Sequence, residues 1–114
     1  LVAMLGSAIA TSISDIPFAG PCAMTQVGLI DGEFVLNPSQ EQWKNGDLNL
    51  TVASTSEKVI MIEAGANEIP EAKMIEAIYM AHEVNQSIIA FINQIKENVR
   101  KFTKKATKLL FLNI

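Results

Sequence analysis

The run Asp15–Ser39, DIPFAGPCAMTQVGLIDGEFVLNPS, leaves the chain few options. Pro17 disfavours helical geometry at Ile16 and Pro21 follows Gly20, so a helix cannot cross this point. Beyond it Met24–Ile30 alternates, with Met24, Gln26, Gly28 and Ile30 on one face and Thr25, Val27 and Leu29 on the other. Asp31-Gly32 is a dipeptide that a type I′ turn favours, because both central residues of that turn need positive φ. Glu33–Leu36 runs back, and Asn37-Pro38 stops it. The pattern specifies a β-hairpin.

A second hairpin follows. Ser39–Asn45 is polar, with Ser39 placed to cap one helical turn and Gln42 to complete a capping box, and Gly46 ends it. Leu48–Ser54 alternates, with Leu48, Leu50 and Val52 on one face, and Lys58–Ala64 returns after a turn at Thr55–Glu57. Two successive hairpins imply antiparallel pairing. Gly65–Ile69 reads as a loop. Pro70 suits the first turn of a helix, with Glu71 favourable near the positive end of its dipole. No breaker then occurs until about Arg100. Met74, Ile78, Ala81, Val84, Ile88, Phe91 or Ile92, and Ile95 recur at three- and four-residue steps, which predicts one apolar stripe on a helix about 45 Å long. The uncharged start, Leu1–Ser14, reads as a helix ending near Ser14-Asp15 and buried tightly against a sheet through its small residues. At 14 residues it is too short to span a bilayer. It lacks an initiator Met, so the expectation is a fragment that begins inside a buried helix. The fold class expected is α+β: helix, hairpin, hairpin, long helix, an antiparallel sheet covered by helices.

Charge is distributed unevenly. Residues 1–95 carry 3 basic and 11 acidic side chains, whereas residues 96–114 carry 6 and 1. The body therefore offers no general basic surface to nucleic acid, and only the tail, with Lys101, Lys104, Lys105 and Lys108, could meet phosphates or an anionic membrane surface. A frayed extension is the simpler expectation for it. One cysteine and one histidine argue against a His/Cys metal cluster and exclude an internal disulfide.

Other candidates for chemistry have plainer explanations. His82 and Glu83 point about 100° apart on a helix and cannot jointly address one substrate atom. Cys22 has no cationic neighbour in sequence to lower its pKa, and suits a small buried position at a strand start. Trp43 beside Lys44 could stack a base, or equally anchor a polar connection. The hydroxyls at Ser7, Thr11, Ser12 and Ser14 have no visible His–Asp partner. Asp31, Glu33, Glu41 and Asp47 sit in or beside turns, and only Asp47, at the mouth of a strand, is placed where metal-assisted chemistry could be built.

Taken in order, DIPFAGP, VGLIDGEFVLNPS, LNLTVAST, VIMIEAGANEIPE and AHEVNQSI resemble the second half of the first RNase PH-like core domain of the polynucleotide phosphorylase (polyribonucleotide nucleotidyltransferase) family. The resemblance spans Leu1 to Asn98 and fades from about Arg100. It implies residues 1–98 as the C-terminal half of an RNase PH-like domain and residues 99–114 as a basic tail, disordered or helical. It further implies a parent that is a processive 3′→5′ exoribonuclease. Such an enzyme cleaves RNA with inorganic phosphate, releases nucleoside diphosphates, requires Mg2+, contains a second RNase PH-like core, forms a homotrimer, and works in the cytoplasm without a membrane.

The catalytic second core of that family places an Asp and a Lys, two apart, on the strand equivalent to Leu48–Ser54, and another Asp in the preceding turn. Those strand positions are Asn49 and Thr51 here, and the earlier acid falls near Trp43. The family's phosphate-holding serines belong upstream of the first helix. The resemblance thus assigns this chain no catalytic, cofactor-binding or metal-ligating residue, and implies a structural part. Two other readings stay open: a non-catalytic exosome-ring or RNase PH-type subunit, and a non-enzymatic protein-interaction module using the hairpin edge and the basic tail.

Overall fold

A computed structural model describes the backbone of residues 1–112 and the side chains of residues 1–101. Its elements are α1 (Val2–Ile13), β1 (Ala23–Ile30), β2 (Glu33–Leu36), α2 (Gln40–Asn45), β3 (Leu48–Ser54), β4 (Val59–Ala66) and α3 (Glu71–Leu112). The strands form one antiparallel sheet in the order β2-β1-β3-β4. The fold class is α+β, as expected.

Each hairpin is closed by the local chemistry that the sequence supplies. Asp31 and Gly32 adopt φ of 51° and 84°, which places Val27 opposite Leu36 and Leu29 opposite Phe34. Asn37, also at positive φ, finishes the pairing: its backbone N–H donates to the Gln26 carbonyl at 2.7 Å, and its Oδ1 accepts from the Gln26 N–H at 3.1 Å. Ser39 caps α2 in a reciprocal capping box with Gln42. The two hairpins join along β1 and β3, where Thr25, Val27 and Leu29 lie opposite Val52, Leu50 and Leu48.

These six side chains form the face that α3 covers. Val27, Leu29, Leu48, Leu50 and Val52 pack with Ala77 and Ala81 of α3, and Phe34, Val59, Ile69, Met74 and Ile78 close the margins. Burying each large aliphatic side chain stabilises the fold by roughly 1.5–3 kcal/mol before conformational entropy is counted. Alanines at 77 and 81 let the helix backbone approach the sheet closely.

Four expectations need correction. The buried axis of α3 runs through Ala77, Ala81, Asn85, Ile89 and Ile92, whereas Met74, Ile78, Val84, Ile88 and Ile95 are only half-buried at its flanks and Phe91 is exposed. A polar residue at the centre, Asn85, displaced the apparent apolar stripe. Secondly, α1 packs mainly beside α3 and reaches only the start of the sheet, so that Ala8 alone is buried and Val2, Met4 and Ile13 remain exposed. Thirdly, β4 begins at Val59 and continues through Gly65 and Ala66, because pairing with Asn49 and Leu48 holds that segment extended. Finally, α3 continues to Leu112, well past Arg100. Cys22 is half-buried, one residue before β1. The lysines of the tail beyond Lys101 lie outside the described side chains.

Candidate functional site

β3 carries Asn49 and Thr51, the positions that the resemblance sets against the charged pair of the family's second core. Leu48, Leu50 and Val52 face α3, so alternation turns Asn49 and Thr51 to the opposite face. Thr51 is buried there, between Gln26 of β1 and Glu63 of β4. Asn49 lies between Gly28 and Gly65, so neither neighbouring strand contributes a side chain beside it. Its Oδ1 is nevertheless buried and has no hydrogen-bond partner. Asp47 is exposed at the entry to the strand, where its N–H donates to the Leu29 carbonyl at 2.8 Å and its own carbonyl accepts from Asn67 at 2.9 Å.

An amide, a hydroxyl and one solvated carboxylate can donate and accept hydrogen bonds. They do not supply the charged oxygens that a hard divalent cation selects, nor a cation for a developing phosphoryl charge. Among the described residues no group of three or more His, Cys, Asp or Glu side chains could hold a metal ion. No helix among the described residues is long and apolar enough to cross a membrane.

The remaining sequence candidates stay apart from one another. His82 sits half-buried on α3 against Gln86, whose Nε2 lies 3.4 Å from the ring and donates to the Thr55 carbonyl at 3.2 Å. Glu83 is exposed. The hydroxyls of Ser7 and Thr11 in α1, and of Ser14 just past its end, donate to α1 carbonyls three or four residues back, at 2.7–2.9 Å, which occupies them locally. Ser12 Oγ is buried without a partner. Trp43 is half-buried and Lys44 exposed on α2.

The polar cluster that the sequence reading missed is Asn85. It is fully buried, and its Oδ1 accepts from Thr25 Oγ1 at 2.7 Å while its Nδ2 donates to the Val52 carbonyl at 3.1 Å and to Ser54 Oγ at 2.9 Å. Every member is satisfied from within the cluster, so it positions α3 and offers nothing to a ligand. Its only trace in the sequence is an Asn in helical phase with Ala77 and Ala81.

Comparison with known proteins places this arrangement. Residues 20–84 match the model of the 3′ exoribonuclease family, domain 2. The polyribonucleotide nucleotidyltransferase of Lachnoclostridium phytofermentans is 70% identical over 95 residues, covering 83% of this chain and 14% of that protein. Those of Alkaliphilus oremlandii and Bacillus cytotoxicus are each 50% identical, covering 96% and 89% of this chain. The chain spans only 14–15% of the length of these relatives.

Proposed function

Since this chain belongs to the 3′ exoribonuclease family, domain 2, we propose that it is the C-terminal half of the first, non-catalytic RNase PH-like core of a polyribonucleotide nucleotidyltransferase. On this reading residues 1–98 form that half-domain and residues 99–114 a basic extension. The parent degrades RNA in the 3′→5′ direction in the cytoplasm, using inorganic phosphate to release nucleoside diphosphates. The contribution of this half is architectural: it shapes the first core, packs against the second, and helps to build the homotrimer around the RNA. Magnesium and the phosphoryl-transfer groups belong to the second core.

The observation that carries this reading is the pair Asn49 and Thr51 on β3. A neutral amide and a hydroxyl at those positions do not fit a magnesium centre, and Asp47 is a single carboxylate. The 114-residue chain, incubated with poly(A), phosphate and Mg2+, is expected to release no ADP above background. Magnesium-dependent ADP release by this chain would overturn the reading. In the parent polypeptide, Asn49→Ala and Thr51→Ala are expected to leave kcat for phosphorolysis within about twofold, whereas loss of a transition-state contact would lower it by orders of magnitude.

A further inference from the structure

Asn45 and Gly46 form the junction between α2 and the mouth of β3. Gly46 is half-buried against β1. A Cβ on it would lie 3.0 Å from the Leu29 carbonyl and 3.1 Å from that of Gln42, so the seat favours glycine. Asn45, the last residue of α2, is exposed. Together they make a dipeptide with a chemistry of its own. A glycine nitrogen, with no side chain beside it, is the least hindered backbone nucleophile. The preceding Asn side chain holds an amide carbon at the spacing that closes a five-membered ring with that nitrogen. Asn45 is the one asparagine in this chain followed by glycine. Asn37 precedes a proline, which has no N–H to lose, and the residues after the other asparagines all carry side chains.

The fold restrains this reaction. The Gly46 N–H donates to the Gln42 carbonyl at 2.9 Å, closing the last turn of α2. The nitrogen can attack only after it gives up that bond and its proton. The turn rests on little. α2 has six residues, none of them buried, and its start is held by the capping box of Ser39 and Gln42, with bonds of 3.3 and 2.9 Å. So short and exposed a helix opens far more readily than the whole molecule unfolds.

We propose that Asn45-Gly46 is a self-modification site, gated by the opening of α2, at which the chain loses an amide and gains a carboxylate. With α2 open, the deprotonated Gly46 nitrogen bonds to Asn45 Cγ. The bond from Cγ to Nδ2 breaks, and the amide nitrogen leaves as ammonia with the equivalent of the proton that Gly46 gave up. Water then opens the ring. Attack at Cγ restores the original backbone with aspartate at position 45. Attack at the main-chain carbonyl of residue 45 routes the backbone through the side chain, as isoaspartate. Either product weakens α2, because a carboxylate at 45 stands four residues from Glu41 and at the negative end of the helix. Isoaspartate also adds a methylene to the backbone. That moves Gly46 from its seat and disturbs the bond from the Asp47 N–H to the Leu29 carbonyl. The chemistry is that of the backbone and stands apart from the RNA reading above, so either can fail without the other.

The test holds the 114-residue chain at mildly alkaline pH and follows ammonia release, isoaspartyl methylation and peptide maps. The modification is expected at residue 45, to be absent from Asn45→Gln, and to run about tenfold or more faster in urea than in native buffer. Ser39→Ala removes the cap without touching the reacting pair, and should raise the native rate about fivefold. Gln42→Ala should act in the same direction from the other half of the capping box, since its backbone carbonyl is kept. Circular dichroism checks that both variants fold; if neither does, the ratio of native to urea rates in the unaltered chain decides. Modification that maps to Asp31-Gly32 or to another asparagine, a native rate equal to that in urea, or folded cap variants that react no faster would overturn the proposal.

Discussion

At Asn85 one amide holds two strands and a helix in a single register, and its removal would strand three partners at once. Asn85→Ala leaves Thr25 Oγ1, Ser54 Oγ and the Val52 carbonyl buried without their bonds and opens a cavity. The expected loss is about 3 kcal/mol, read from urea denaturation. Asn85→Leu should recover little of it, because filling the space does not satisfy the orphaned groups. Polar residues are assigned to solvent in any apolar–polar pattern, so Asn85 was illegible in the sequence although its spacing from Ala77 and Ala81 was there to be seen. Asp31 and Gly32 were fully legible, because positive φ has few sequence solutions. Gly32→Ala is expected to cost about 1 kcal/mol, since its φ of 84° suits glycine and not an L side chain.

Among the elements, the first hairpin and α2 follow directly from their turn and capping residues, and β4 does not. Its VIMI run is apolar, yet the strand lies at an edge that the chain's own helices leave open. Alternation reports which residues share a face; it does not report whether anything covers that face. Val52 and Ile62 are paired on the same face, one buried and one half-exposed. In the monomer Val52→Thr is therefore expected to cost about 2 kcal/mol and Ile62→Thr less than about 0.5 kcal/mol, by chemical denaturation at low protein concentration. Gly46 is a different case. Its φ of −78° is open to any residue, but a Cβ there would lie 3.0 Å from the Leu29 carbonyl and 3.1 Å from that of Gln42. Gly46→Ala is expected to destabilise by about 1–3 kcal/mol and to weaken amide-exchange protection at Asp47, whose N–H bonds to that same Leu29 carbonyl. The sequence marked Gly46 as a breaker, and the close approach behind it appears only once α2 is seen against β1.

For the whole molecule, the governing fact is disproportion: a sheet of four short strands beside a helix of 42 residues. That helix is about 63 Å long at 1.5 Å per residue, and the molecule measures 68 × 27 × 18 Å. The breaker-free run was visible in the sequence, but where the sheet stops supporting the helix was not, because that depends on how the strands are ordered across its width. The strand order carries a kinetic consequence. Both outer pairs, β1 with β2 and β3 with β4, are neighbours along the chain and close across short turns. The seam between β1 and β3, the docking of α3 upon it and the packing of α1 beside α3 require distant residues to meet. Loop-closure entropy is spent at that seam before burial rewards it, so the seam sets the folding rate. Val27→Ala or Leu50→Ala should slow folding in stopped-flow refolding, whereas changes at the turn-distal end of β4 should mainly speed unfolding. The two hairpins are in this sense preassembled parts, and the molecule commits to its fold at the line where they touch.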